Sequence, residues 1–195
     1  MAAGEVLKQG GIVAFPTDTV YGLGAVFDDE RAVRRIFAAK GREEKKPLSI
    51  LVADSAQVEL LSDIKSGEMA QKAARLMEKY WPGALTLIFR KKSGIPDAVT
   101  AGGETIGIRM PDLKVTRDLI CAAGKPLAAP SANTSGKRSA VCAQEVLEDL
   151  NGKIDMVIDG GTCPVGVAST VVDMTGDTPR ILREGVITAE MIAQA

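Results

Sequence analysis

The chain lacks histidine, has few aromatic residues and has no long apolar run, and each absence excludes a class of protein. Histidine is the usual acid–base group near neutral pH, so its absence rules out Ser-His-Asp and Cys-His catalysis. Aromatic residues make up only 4% of the 195 residues, so a core must consist mostly of Val, Ile, Leu and Ala. The longest apolar stretches have the length of strands, which predicts no membrane-spanning segment.

The three cysteines, Cys121, Cys142 and Cys163, are odd in number and widely spaced. Without histidine a Cys/His zinc site is excluded, and an all-cysteine site would have only these three candidate ligands. We interpret them as buried free thiols in a reducing cytoplasm. The first ten residues lack a basic segment followed by a long apolar run, which argues against a secretory signal.

The formal net charge is −1, so the chain has no global attraction to nucleic acid or to an anionic membrane. Apolar residues make up 46% of the sequence, which is enough for a sizeable core. The length suits one domain or at most two. Because we find no internal repeat, low-complexity segment or linker, we predict a single domain over residues 1–195.

The spacing of apolar residues and turn residues predicts strands and helices that alternate irregularly. The predicted strands cover 12–15, 48–52, 84–89, 105–109, 126–129, 156–158, 170–174 and 180–182. The predicted helices lie around 33–40, 58–61, 69–80, 115–123, 145–150 and 188–193, and 17–24 is a turn or short strand. Some strands follow one another directly, so the pattern favours an α+β fold with a mixed sheet rather than a strictly parallel one.

Polar segments beside these strands form a candidate site for anions. Lys40 and Arg42 lie in the loop that enters the strand beginning at Leu48, and they offer a point charge and a planar fork. That pair of cations could bind a polyphosphate. The alternative interpretation is that both side chains belong to an ordinary solvated surface loop. The segment 16–24 (PTDTVYGLG) is denser in polar side chains than a connector needs, and its glycines permit close backbone approach.

Further polar residues follow other strands. Ser131 and Asn133 can bind phosphate oxygens or metal-bound water, although a plain polar loop or helix cap would look the same. Arg109 is either a carboxylate clamp or an edge residue, and Arg183 adds a cation at another strand end. No segment fits the P-loop or the dinucleotide fingerprint. No nucleophile–base pair is visible, so any chemistry depends on positioning and charge neutralisation.

Several motifs together resemble the YrdC/Sua5 family of L-threonylcarbamoyladenylate synthases. They are PTDTVYGLG (16–24), KGR…KPL (40–48), WPGALT (81–86), TIGIRMP (105–111), APSAN (129–133), DGG (159–161), ST (169–170) and ILREG (181–185). The likeness covers nearly the whole chain in the expected order. It implies a three-layer fold with a twisted open mixed sheet flanked by helices, and it is similar to the short bacterial form without a further C-terminal domain.

The resemblance implies that ATP, L-threonine and bicarbonate or CO2 give threonylcarbamoyl-AMP and pyrophosphate. The product would serve the t6A modification of tRNA adenosine 37. The implied cofactor is Mg2+ carried by ATP, and the implied partner is the downstream tRNA threonylcarbamoyl transferase complex. Cytoplasmic location and no membrane association follow from the same resemblance, which leaves weak binding to tRNA open.

Residue roles are likewise implied by the resemblance. The residues implied to contact ATP are Lys40, Arg42, Lys46, Thr105, Ser131, Ser139 and Arg183. The residues implied to hold threonine are Thr17, Thr19, Arg109, Ala129 and Ser169, with Arg109 on the carboxylate. The implied catalytic set is Lys40, Arg42, Ser131 and Asn133. No direct protein ligand to Mg2+ is predicted, since ATP would carry the ion, and Asn133 is the one protein group considered for it. Leu51 stands where many relatives have a histidine near the amino acid.

Two other functions compete with synthase activity. A non-catalytic RNA-binding module could hold RNA phosphates on a concave basic face, but the net charge and the few aromatics weigh against it. Carbamoyl transfer of the hydrogenase-maturation kind uses a related domain, normally inside a much larger chain with zinc-finger and acylphosphatase-like parts. Those parts have no counterpart in this sequence.

Overall fold

A computed structural model of the chain describes residues 2–64 and 66–195. The strands are β1 (Val13–Phe15), β2 (Gly22–Val26), β3 (Ser49–Leu51), β4 (Ser62–Asp63), β5 (Leu85–Lys91), β6 (Thr105–Arg109), β7 (Leu127–Ala128), β8 (Met156–Val157), β9 (Thr170–Asp173) and β10 (Arg180–Arg183). The helices are α1 (Ala2–Lys8), α2 (Glu30–Lys40), α3 (Ala56–Leu61), α4 (Glu68–Tyr80), α5 (Asp97–Thr100), α6 (Lys114–Ala123), α7 (Ala143–Leu150) and α8 (Ala189–Ala193).

The strands form one sheet in the order β10-β9-β5-β6-β3-β7-β2-β1-β8, and β4 pairs with β5 beside this path. Three neighbouring pairs are parallel, namely β1 with β8, β3 with β6 and β5 with β9. The other pairs are antiparallel. The predicted fold class, a twisted open mixed sheet flanked by helices, is therefore confirmed.

Helices cover the sheet through two apolar clusters. Leu7 of α1 and Ile120 of α6 pack with the strand residue Phe15 in one cluster. Ile36 of α2 and Leu76 of α4 belong to the other, larger cluster. Each of these side chains is almost fully buried, because the sheet presents alternate residues to opposite faces and both faces are apolar in its central strands.

Helix α2 shows how local sequence positions the loop that follows it. Its first turn is capped by the Asp29 carboxylate, which accepts a hydrogen bond of 3.0 Å from the Ala32 amide. The helix ends at Gly41, whose φ of 58° is a left-handed conformation that glycine adopts without strain. The chain therefore turns sharply after Lys40, and Arg42 leaves the helix end in a fixed direction.

The structure corrects two expectations and adds elements. Cys121 is exposed and Cys142 is half-buried, so only Cys163 is a buried thiol. Cys121 is exposed because it lies on the solvent side of amphipathic α6. The short elements α1, α5 and β4 were not predicted from the sequence. Within the part of the chain that the structure describes, no helix combines the length and apolar character needed to cross a bilayer.

Candidate functional site

A cavity of about 210 Å³ lies against one face of the central strands. Leu51 of β3 is paired with Arg109 of β6, and Thr86 of β5 is paired with Val171 of β9. Arg183 of β10 is also paired with Val171. Because paired residues on neighbouring strands point to the same face, five strands contribute side chains to one cavity wall.

Most of the residues that the sequence predicted for the site line this cavity. They are Thr17, Thr19, Arg42, Arg109, Ala129, Ser131, Ser139, Ser169 and Arg183. These residues come from six separate segments of the chain, so their meeting in one cavity is a consequence of the sheet topology. The cavity also contains residues that were not assigned a role, including Tyr21, Ser49, Leu51 and Thr86.

The segment between β1 and β2 is a tight polar turn. The Thr17 hydroxyl donates to the Val20 carbonyl at 2.6 Å and accepts from the Thr19 and Val20 amides. It also lies 3.0 Å from the Thr19 hydroxyl. Since the Thr17 proton is used by Val20, the Thr19 hydroxyl is the donor of that contact whenever both bonds are present. Thr17 therefore fixes the turn and orients Thr19.

Arg109 is buried at the end of β6, and the surrounding residues bond three of its five N–H groups. Its Nε donates to the Gly83 carbonyl at 2.9 Å, and Nη1 donates to the Thr19 hydroxyl at 2.7 Å. Its Nη2 donates to the Asp18 carboxylate at 2.6 Å, in an ion pair whose side chains are only 7% and 10% exposed. Burial lowers the pKa of Arg109, and Asp18 opposes that shift. The guanidinium is thus rigidly held beside the cavity.

Arg42 lines the other part of the cavity and is held more loosely. Its Nη2 donates to the Pro47 carbonyl at 3.1 Å, while its buried Nε lacks a hydrogen-bond partner among the described residues. Burial lowers the pKa of Arg42 below the usual arginine value. Ser131 lines the same cavity, and an isolated bridge to Gly22 fixes its backbone there. A half-exposed arginine and hydroxyls form a surface that suits phosphate oxygens.

Lys40 does not line the cavity, because its ammonium is turned into the loop after β7. The side chain is 2% exposed and donates to the carbonyls of Ser131 and Asn133. Burial, with a smaller contribution from the charge of Arg42, lowers the pKa of Lys40 from 10.5 to about 8. The Lys40 carbonyl also accepts the Ser135 amide at 2.8 Å. In this structure Lys40 holds the Ser131–Asn133 loop rather than facing the cavity.

Three further predicted residues lie outside the cavity lining. Asn133 is buried, and its Nδ2 donates to the carbonyls of Thr134 and Lys137. Lys46 is exposed and lies 3.8 Å from the Glu43 carboxylate. Thr105 begins β6, whose far end carries Arg109, so the length of the strand separates Thr105 from the cavity. A motif cannot reveal this, because successive residues of a strand advance about 3.3 Å each.

Sequence reasoning missed Asp18, Tyr21 and Thr86 as parts of the site. Asp18 pairs with Arg109 and also accepts the Asp112 amide at 3.0 Å. The Tyr21 hydroxyl donates to the Gly161 carbonyl and accepts the Gly160 amide, and burial is the main cause of its raised pKa. All three lie inside motifs quoted from the sequence, but their partners are distant in the chain.

The acidic and sulfur-containing residues do not assemble a metal centre in the part of the chain that the structure describes. No group of three or more Cys, Asp or Glu side chains there could hold a metal ion. One neutral oxygen is available near the site, because the buried Asn133 Oδ1 has no hydrogen-bond partner among the described residues. An amide oxygen of this kind is a ligand type that Mg2+ accepts.

Comparison with known proteins agrees with the fold. Residues 5–185 match the profile of the Sua5/YciO/YrdC family, which carries the description "Telomere recombination". The chain belongs to the Sua5/YciO/YrdC family. It is 46% identical over 192 residues to the Threonylcarbamoyl-AMP synthase of Pyrococcus abyssi and 47% identical over 191 residues to that of Bacillus subtilis. These matches cover 98% and 97% of the chain.

A solved structure of a family member, described as P. abyssi Sua5 complexed with L-threonine, superimposes with a TM-score of 0.94. It is 44% identical, and the match covers 99% of this chain and 56% of that one. The chain spans about half the length of the Pyrococcus and Bacillus relatives, 55% and 54% respectively. The similarity therefore concerns one part of those longer proteins.

Proposed function

We propose that this chain is an L-threonylcarbamoyladenylate synthase. It would convert ATP, L-threonine and bicarbonate or CO2 into threonylcarbamoyl-AMP and pyrophosphate. The observation that carries the proposal is the pairing of two kinds of arginine in one cavity. Arg109 is buried and pre-bonded, whereas Arg42 and Arg183 are more accessible and stand with the hydroxyls of Ser131 and Ser139.

The Arg109 end of the cavity suits the carboxylate of an amino acid. Three donors of Arg109 are used by Gly83, Thr19 and Asp18, so one N–H remains on each Nη nitrogen. Two parallel N–H donors are the arrangement with which arginine binds a carboxylate. Ser169 adds a hydroxyl beside it, whereas Thr19, whose proton goes to Thr17, keeps one lone pair that could accept from the ammonium or hydroxyl group of the amino acid. The P. abyssi protein that was solved with L-threonine supports threonine as the amino acid.

The Arg42 end suits a triphosphate. Arg42, Ser131 and Ser139 supply a cation and two hydroxyls, and Arg183, which bonds Ser169, adds a second cation from the Ser169 side of the cavity. Lys40 would act on the same ligand indirectly, because its ammonium holds the Ser131 and Asn133 carbonyls. Lys46 is exposed on the adjoining loop and would reach the phosphates only if that loop closes. We leave Thr105 out of the proposed site because it starts β6 away from Arg109.

The proposed chemistry needs no histidine. The threonine amine adds to CO2 and loses a proton, which gives a carbamate. A carbamate oxygen then attacks the α-phosphorus of ATP in line, and the bond to the β,γ-pyrophosphate breaks. Such a transfer depends on positioning the two reactants and on neutralising the charge of the phosphates. Arg109 would supply the positioning because it is rigidly held, and Arg42 and Arg183 would supply positive charge to the phosphates.

Mg2+ would enter with ATP and neutralise part of the phosphate charge. The described residues fit this role through one unpartnered amide oxygen, Asn133 Oδ1. Asn133 would then hold the ion through that oxygen, while the phosphates supply its other ligands. Loop 131–135 would set the position of this oxygen, since Lys40 bonds two of its carbonyls.

The product would be used in tRNA modification. A mixed anhydride of a carbamate and a phosphate is a reactive acyl donor, so a transferase acting on tRNA adenosine 37 is the proposed consumer, in the cytoplasm. The names of the Pyrococcus and Bacillus relatives support threonylcarbamoyl-AMP as the product. Direct contact of this chain with tRNA would be weak, because its net charge is −1.

The proposal is tested by pyrophosphate release from ATP and Mg2+. Threonine and bicarbonate are each omitted in turn, and the adenylate is identified by mass spectrometry. We expect release only when both are present. Release that needs neither substrate would indicate a simple pyrophosphohydrolase. No release under any condition by a folded protein, combined with salt-dependent binding of duplex RNA, would favour an RNA-binding module instead.

A further inference from the structure

Thr86, Ser169 and Arg183 form a short chain of hydrogen bonds in the cavity wall. The Thr86 Oγ1 and Ser169 Oγ atoms are 2.8 Å apart, and the geometry alone allows either one to be the donor. Arg183 Nη2 donates to the same Ser169 Oγ at 3.2 Å, and Arg183 Nε donates to the Ser169 carbonyl at 2.9 Å. The direction of the Thr86–Ser169 bond decides what Ser169 offers to a ligand.

The sheet explains why these residues meet. Thr86 of β5 and Arg183 of β10 are both paired with Val171 of β9, so all three lie on one face. Ser169 comes directly before β9, and its hydroxyl reaches the same face, where it contacts Thr86. All four line the cavity.

The charge beside the pair favours one direction of the bond when the ligand is an anion. Thr86 is 2% exposed. Among the described residues, the hydroxyl of Thr86 has one hydrogen-bond partner, Ser169. If Ser169 donates to Thr86, the Thr86 proton has no partner among the described residues, and if Thr86 donates to Ser169, the Ser169 proton has none. Arg183 donates to Ser169 Oγ, so an anionic ligand is attracted to the Ser169 side of the pair, and its binding favours the direction in which Thr86 donates and Ser169 keeps the free proton.

With that direction, Ser169 has only one hydrogen-bonding function left for a ligand. A serine hydroxyl has two acceptor lone pairs and one proton. Thr86 and Arg183 occupy the two lone pairs, so the proton of Ser169 is free to enter the cavity. A hydroxyl that accepts hydrogen bonds is also polarised into a stronger donor.

We propose that Thr86 is a positioning residue that makes Ser169 a hydrogen-bond donor toward an anionic oxygen of the bound amino acid. The inference rests on the proposed function, since it takes that amino acid to be L-threonine. Ser169 would then recognise the carboxylate or, after CO2 addition, the carbamate, and would not pair with the ammonium group. Neither Thr86 nor the polarity of this bond follows from the sequence motifs.

The first test measures binding of L-threonine to the full chain by calorimetry, in a double-mutant cycle. We expect Thr86→Val to weaken binding about fivefold and to have no effect when Ser169→Ala is already present, because Thr86 acts through Ser169. Thr86→Ser should restore binding to within about twofold, since it keeps the hydroxyl. Independent effects of the two substitutions would overturn the inference. Thr86→Ala removes the same hydroxyl and replaces the valine variant if that one does not fold.

A second ligand tests the polarity of the bond. L-Threoninol carries the same ammonium as L-threonine but has a hydroxymethyl group in place of the carboxylate. If Ser169 donates to the carboxylate, Thr86→Val should reduce the preference for threonine over threoninol about fivefold. If Ser169 instead accepts from the ammonium, both ligands lose the same affinity and the ratio stays constant, which would overturn the inference.

Thr100→Val is the matched control. Thr100 is 4% exposed, and its hydroxyl accepts from Lys91 Nζ at 3.2 Å away from the cavity residues. The Thr100→Val variant should bind threonine with an affinity within about twofold of the wild type. Equal threonine affinity in the wild-type and Thr86→Val proteins would contradict the inference alone. No threonine binding by the folded wild-type protein would contradict the proposed function, and with it the assignment of the ligand.

Discussion

Arg109 and Arg42 line the same cavity but are held in opposite ways. Arg109 is buried, and its three nitrogens are bonded to a carbonyl, a hydroxyl and a carboxylate of the protein. Arg42 is half-exposed, bonds backbone carbonyls of its own loop and has an unpartnered Nε among the described residues. One end of the cavity is therefore rigid before any ligand arrives, and the other end is not.

The difference fits two ligands of different size. A small amino acid gains most from a preorganised partner, because a fixed guanidinium loses little entropy on binding. A nucleotide triphosphate is long and flexible, and a loop that can adjust is able to follow its phosphates. The two ends also differ in desolvation free energy. Arg109 is held by a buried ion pair, which is costly to desolvate, whereas Arg42 and Arg183 stay partly in contact with solvent.

The largest effect is expected at the loose end. Arg42→Ala should lower kcat/KM for pyrophosphate release by roughly 30- to 1,000-fold, about 2–4 kcal/mol, because the cation proposed to neutralise the phosphates is lost. The fold should survive, since Arg42 makes bonds only to loop carbonyls. Arg34→Ala is the control, because Arg34 is exposed on the preceding helix and pairs with Glu44 outside the cavity. Near-normal turnover of the Arg42 variant would refute its role.

The rigid end should respond mainly in stability. Asp18→Asn removes the charge that compensates buried Arg109, and we expect the free energy of unfolding in urea to fall by about 3 kcal/mol. The exposed pair Lys114–Asp118 provides the control, and Asp118→Asn should cost less than about 1 kcal/mol. Equal losses in the two variants would show that the Asp18–Arg109 pair is no different from a surface pair.

Lys40 is buried like Arg109 but holds the Ser131–Asn133 loop near Arg42. Its lowered pKa of about 8 allows a test by pH. Between pH 8 and the ordinary lysine value of 10.5, the unfolded chain keeps a proton that the folded chain has lost. This group therefore makes the protein more stable as pH rises, by up to about 1.4 kcal/mol per pH unit.

The measurement compares unfolding free energies of the wild type and Lys40→Met at pH 7.5, 8.5 and 9.5. Methionine keeps the length and apolar stem of lysine but cannot titrate. The wild type should gain stability relative to the variant as pH increases. Parallel curves would mean that the Lys40 pKa is not lowered in the folded protein.

The smallest effect is expected at Tyr21. Tyr21→Phe removes the hydroxyl that joins Gly160 and Gly161 to the cavity turn, at 3.2 and 2.9 Å. Both glycines are exposed, so water can replace the lost bonds and the cost should stay near or below about 1 kcal/mol. Hydrogen exchange at the Gly160 amide should become faster. A loss of more than about 2 kcal/mol would indicate that this loop is part of the core.

Sequence patterns located nearly every strand and helix that carries the cavity. The apolar alternation of Thr105 to Arg109 and the cap and glycine stop of α2 are local signals, because backbone propensity and burial act within a few residues. The elements that were missed are short ones such as β4, whose two residues form a strand only because β5 is beside them. Tertiary pairing, rather than local pattern, creates such elements.

The sequence alone determined which groups could do the chemistry: no histidine, several arginines, and hydroxyls and glycines beside strands. Only the tertiary structure decided where each group acts. It turned Lys40 into the Ser131–Asn133 loop, paired Arg109 with Asp18 and joined Thr86 to Ser169. Sheet order brings together residues that lie far apart in the chain, and hydrogen-bond satisfaction in a buried cavity then fixes the direction of each side chain.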